Sequence, residues 1–156
     1  MKKKINRGIS LLEIIIAIGI IAIIMAIVIP NFSQFNKQQA LQVTKEDIIS
    51  LLNEARNSTI SSKNSTNYGV HFQSDRAILF AGSTFVDMPG NKQINFDSAV
   101  TIPSTGGINL GGGDNVIFQR ITGDTLNNGT IVLQLVSDAT RQKVISISSL
   151  GVISAN

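Results

Sequence analysis

The sequence predicts an α+β chain in which a long N-terminal helix, apolar in its first half and amphipathic in its second, packs on a C-terminal antiparallel β-rich head. Three observations predict it. Residues 14–29 carry no charged or polar side chain. Residues 31–62 contain neither glycine nor proline, and their apolar positions recur at helical spacing. From Tyr68 onward, short β-like runs are separated by turn residues.

A chain of 156 residues has room for one modest globular domain and an extension. Its net charge of +3 is unevenly placed. Lys2, Lys3, Lys4 and Arg7 fall in the first eight positions, and the rest of the chain holds nine basic against ten acidic residues. The pI near 9.5 therefore belongs to the leader and does not indicate nucleic acid. With no cysteine, the chain has no disulfide framework, thiolate metal site or thiol nucleophile.

The first element is the apolar stretch from Ile9 to Ile29. As a helix its 21 residues reach roughly 31 Å, about the thickness of a bilayer's hydrocarbon core. The basic cluster on its N-terminal flank predicts a cytoplasmic N-terminus and a head on the far side of the membrane. A secretory signal peptide would close on a small-x-small cleavage site. Ala26-Ile27-Val28-Ile29-Pro30 offers none.

Glu13 is a lone carboxylate five positions after Gly8, directly before the unbroken apolar run. Burying it ionised in lipid costs about 2.5–3.5 kcal/mol, so it needs a partner. Cleavage after Gly8 would create one, the α-amine of Ile9 on a neighbouring copy, and the pairing would fix the stagger between helices.

Gly8-Ile9-Ser10-Leu11-Leu12-Glu13, the basic leader and the apolar run ending at Pro30 together resemble the class III signal of type IV pilins and type II secretion pseudopilins. The resemblance implies a pilin-like fold and cleavage between Gly8 and Ile9 by a membrane prepilin peptidase, with N-methylation of Ile9. It also implies membrane lipid as the first environment, then other pilin or pseudopilin subunits and an inner-membrane assembly platform as partners. Family members most often carry Phe-Thr where this chain has Ile9-Ser10. Pro30 removes one backbone donor, which bends or loosens a helix, or else marks the membrane exit.

After Pro30, Leu41, Thr44, Ile48, Leu51, Leu52 and Ala55 form one face, with Lys37, Lys45, Glu46, Glu54 and Arg56 largely off it. Anchor and extension then make one rod of roughly 50 residues, about 80 Å long. Phe32 and Phe35 sit where neighbouring subunits would meet. The expected division is a cleaved leader at 1–8, a transmembrane and filament-core helix at 9–30, an amphipathic extension at 31–62 and a β-rich head at 63–156.

In the head the expected strands are YGVHF, RAILFAG, QINF, AVTI, NVIFQRI, TIVLQLV, QKVISIS and LGVIS. This order, with Leu51-Leu52-Asn53-Glu54-Ala55-Arg56 near the helix end, is similar to the H-type minor pseudopilins and related minor pilins. It implies a minor structural subunit, with a major pilin or a pilin-like component of a DNA-uptake machine as alternatives.

No residue is nominated as catalytic. One histidine, His71, faces away from the side of its strand shared by Tyr68, Val70 and Phe72, and is read as a solvent-facing residue rather than a metal ligand. Gly106 to Asn115 lacks the Gly-Lys-Ser/Thr of a phosphate loop and is read as a mobile loop. Asp114, Asn115, Asp124, Asn127 and Asn128 lack the spacing of a calcium loop. No cofactor, metal or small-molecule substrate is expected. The basic residues Lys63, Arg76, Lys92, Arg120, Arg141 and Lys143 are too scattered to form a DNA stripe.

Overall fold

The structure is a computed structural model that describes residues 10–156, with the backbone alone described for 28–33. It contains two compact units, Met1–Asn36 and Lys37–Asn156. Helix α1, Leu11–Ile60, contributes to both. A run of this length without an interior breaker other than Pro30 is what the absence of further proline and the single Gly19 allow.

Within the first unit, the side chains of α1 from Leu11 to Ile27 are exposed all around the helix. The large apolar ones among them range from 48% to 78% exposed. Among the described residues no helix is long and apolar enough to cross a membrane. The span expected at 9–30 extends past those residues at Ile9 and, in its side chains, at 28–30.

Within the second unit, α1 lays Leu41, Thr44, Ile48, Leu51, Leu52, Ala55 and Thr59 on the head, all buried. Burial of a leucine or isoleucine of this kind contributes roughly 1.5–3 kcal/mol relative to exposure. Lys45 departs from the sequence expectation, since it is buried on this face rather than off it. Its aliphatic stem packs inward while its ammonium reaches Glu46 at 3.1 Å. The helix ends at Ile60, where Ser62 turns left-handed and leads into a 3-10 turn, Lys63–Ser65.

Among the described residues nine strands form two antiparallel sheets. The first has the order β3 (Lys92–Asn95), β2 (Arg76–Ala81), β1 (Tyr68–Phe72), β6 (Asn115–Ile117). In the second, β7 (Gly129–Leu135) is flanked by β8 (Asp138–Ile147) and, on its other edge, by β4 (Val100–Thr101) and β5 (Ile108–Leu110); β9 (Ile153–Ala155) closes the far side of β8. Alternation places Val70, Phe72 and Ala77 of the first sheet, with Ile131, Leu133 and Ile145 of the second, in one core with the helix.

The first sheet is apolar on its outer side too. Ile78 and Phe80 point away from the helix and are nevertheless buried. Phe85, from the β2–β3 connection, meets Phe80 edge to face at 5.4 Å. Gly69 makes room for this second layer. A Cβ there would lie 2.8 Å from the Phe80 ring and 2.7 Å from the Val116 carbonyl oxygen.

The glycine-rich stretch at 106–115 is not wholly loop, contrary to expectation. Its centre forms β5, pairing Ile108 with Ile131 and Leu110 with Gly129. Ile108 and Leu110 alternate with Asn109 and pack against the core, which supplies the drive that the glycines conceal.

Candidate functional site

The segment with the strongest chemical signature in the sequence lies at the start of α1. The helix opens where the Ile14 amide donates to the Ser10 carbonyl at 3.2 Å. Glu13 falls in this first turn, where the unpaired backbone amides and the positive end of the helix dipole favour a carboxylate. Its side chain is exposed, and among the described residues none donates to it. From Ile14 to Ile27 the helix presents an apolar surface with no polar side chain on any side.

Gly8 and Ile9 lie outside the described residues. Pro30 lies within α1, which continues through it, and neither its ring nor the Phe32 ring is described. Phe35 is 62% exposed, an aromatic ring turned to solvent. Glu13 and Phe35 are thus surface groups of one unit, and neither has a described partner within the chain.

A family model described as the prokaryotic N-terminal methylation motif matches residues 3–29. The chain carries a class III signal. That signal is characteristic of type IV pilins and pseudopilins, and it joins the basic leader, Gly8, Ile9, Glu13 and the apolar run in one matched segment. It implies processing by prepilin peptidase and assembly with other pilin subunits. The long helix on an antiparallel head agrees with the pilin-like fold expected beside the class III signal. Comparison with curated proteins and with solved structures gave no match.

The remaining polar residues of interest lie in the head. His71 faces away from the core side of β1 but is half-buried rather than open to solvent. Its ring stacks on Phe85 with centroids 3.9 Å apart, and its Nδ1 lies 2.8 Å from the side-chain Oδ1 of Asn115. Sequence alternation gave its direction; the Phe85 cover comes from the separate β2–β3 connection. Among the described residues no three His, Cys, Asp or Glu side chains are placed to hold a metal ion. Arg76, Lys92 and Arg141 pair with Asp75, Glu54 and Asp138, which disperses the head's positive charge.

Two residues that tie the helix to the head are not evident from the sequence. Thr59 is fully buried, with its hydroxyl donating to the Ala55 carbonyl and accepting from the Tyr68 amide, both at 2.9 Å. Arg56 is half-buried rather than off the packed face, and donates to the carbonyls of Gly123 at 3.4 Å and Leu150 at 3.5 Å. Its place four residues after Ala55, the last of the helical apolar row, is the one signal that could have found Thr59.

Proposed function

We propose that this chain is a minor pilin or pseudopilin, a structural subunit of a type IV pilus or a type II secretion pseudopilus. The match to the methylation motif over residues 3–29 carries the reading. On it, prepilin peptidase cuts between Gly8 and Ile9 and methylates the new terminus. Residues 9–30 hold the precursor in the inner membrane with its N-terminus cytoplasmic and its head outside, and an assembly platform then moves the helix from lipid into the filament. Ile9 to Ile29 supplies the apolar length for the first state, and the exposed apolar side chains of α1 supply the contact surface for the second.

Glu13 has a definite task in this scheme. Exposed on the first turn with no described donor, it accepts the α-amine of Ile9 from the neighbouring subunit and so selects the stagger between helices. Phe35, with Phe32 beside it in sequence, extends the contact surface beyond the membrane, and Pro30 supplies a point where one helical hydrogen bond is missing.

Glu13→Ala tests this. The variant is expected to insert and be cleaved as the native chain is, yet to be depleted from sheared filaments. Incorporation at the native level would remove the register role. The abundance of the native chain in the same preparation distinguishes a minor subunit from a bulk one: a filament made of this chain alone makes it the major pilin.

A further inference from the structure

Asn128-Gly129, where the chain enters β7, is the only asparagine in the sequence followed by glycine. That pair is the most open to ring closure, because no Cβ stands beside the glycine nitrogen to hinder its attack on the asparagine side chain. The fold does not allow relief at the glycine. Gly129 holds φ +152°, and a Cβ there would run into the Asn109 carbonyl of β5. A bulkier residue that would shield the peptide group is therefore excluded by packing.

Asn128 supplies the other half of the reaction. It is exposed, and its side-chain amide has no partner among the described residues. Asn127 is the contrast, since it is half-buried, packs its side chain over Gly112 and is followed by another asparagine. The Asn128 carbonyl accepts the Gly111 amide at 3.1 Å. That carbonyl shares its peptide group with the Gly129 nitrogen, so the bond draws electron density toward oxygen and eases loss of the nitrogen's proton. Gly129 is also the first residue of β7, and the ends of elements open before their centres.

We propose that Asn128 is a site of spontaneous deamidation through a succinimide. The Gly129 nitrogen loses its proton to base and bonds to Asn128 Cγ. The Cγ–Nδ2 bond breaks, and ammonia leaves with a proton taken from water. Water then adds to one of the two ring carbonyls. Opening at Cγ gives aspartate; opening at the main-chain carbonyl gives isoaspartate, whose backbone runs through Cβ and Cγ. No oxidant or reductant is needed, and both products put a carboxylate where a neutral amide stood. Isoaspartate also adds one backbone carbon between the carbonyl that holds Gly111 and the Leu110–Gly129 pair, so β5 cannot keep both. The proposal is independent of the filament-subunit reading.

The test holds the full chain in detergent micelles at mildly alkaline pH in heavy-oxygen water, then digests it and locates the label by fragment masses. One labelled oxygen is expected at residue 128, in a mixture of the two acidic products, and faster as hydroxide rises. Asn128→Gln is expected to lose the label, because its longer side chain does not close the five-membered ring, and to keep the native urea midpoint. The same chain unfolded in urea reports the reaction without the fold. A folded chain that takes up no label at residue 128 overturns the proposal, and label in the unfolded chain alone would show that the fold protects the site. Label confined to another asparagine, or undiminished in Asn128→Gln, overturns it as well. In the isoaspartyl fraction, amide hydrogen exchange over residues 106–113 is expected to rise severalfold; unchanged exchange there overturns the effect on β5.

Discussion

One buried hydroxyl bonds the helix to the head, and Thr59→Val isolates its contribution. Valine matches threonine in shape and fits the fully buried site, so packing is nearly conserved while the hydroxyl is lost. The Tyr68 amide, which donates to that hydroxyl at 2.9 Å, is left without an acceptor in a buried position. An unsatisfied buried donor costs about 1–3 kcal/mol. The Ala55 carbonyl loses only an additional donor and adds little. Thr59→Ser keeps the hydroxyl and removes one methyl, for about 0.8 kcal/mol of lost burial. Valine is therefore expected to be the more damaging of the two, although it is the more apolar. Urea unfolding of the full chain in micelles reads the difference through Tyr68, which is the only tyrosine in a chain without tryptophan and is itself buried at the joint. Equal midpoints for the valine variant and the native chain, or a serine variant less stable than the valine one, would show that the hydroxyl does not hold the joint.

Gly69→Ala is expected to cost at least about 1–3 kcal/mol, because its Cβ would collide with both the Phe80 ring and the fixed Val116 carbonyl; unfolding by the same Tyr68 signal measures it. Lys92→Ala removes the exposed ion pair with Glu54 and is expected to cost no more than about 1 kcal/mol, a difference that added salt shrinks. At Asp138, hydrogen bonds from the Thr140 hydroxyl and amide, helped by Arg141, hold the carboxyl below the ordinary value of 3.8. With the folded value depressed, the stabilisation is complete above the unfolded pKa and is lost as pH falls through the folded one. Asp138→Asn is therefore expected to flatten the acid limb of the stability curve below about pH 4 and to change little at neutral pH.

Local periodicity is what the sequence makes legible. The helical row Leu41, Thr44, Ile48, Leu51, Leu52 and Ala55 is buried as spaced, and each of the eight expected strand runs contains strand residues. β5 was hidden because glycines surround its three residues, and its pairing with β7 is set by the core rather than by turn chemistry. Long-range contacts were hidden for the same physical reason. Nothing near His71 in sequence announces Phe85, and nothing near Arg56 announces the Gly123 and Leu150 carbonyls. Lys45 was placed off the packed face by its charge, yet its stem is apolar enough to be buried there. The methylation motif matched at residues 3–29 is legible for the opposite reason. Such a motif is a linear pattern, so the spacing of Gly8, Ile9 and Glu13 is readable without any fold.

Whether residues 3–29 act as a class III signal is decided by the N-terminal mass of the chain recovered from membranes. With prepilin peptidase present, the chain is expected to begin at a methylated Ile9; without the peptidase, it is expected to keep its first eight residues. A chain that keeps Met1 under both conditions would contradict that role and leave a simple anchored head.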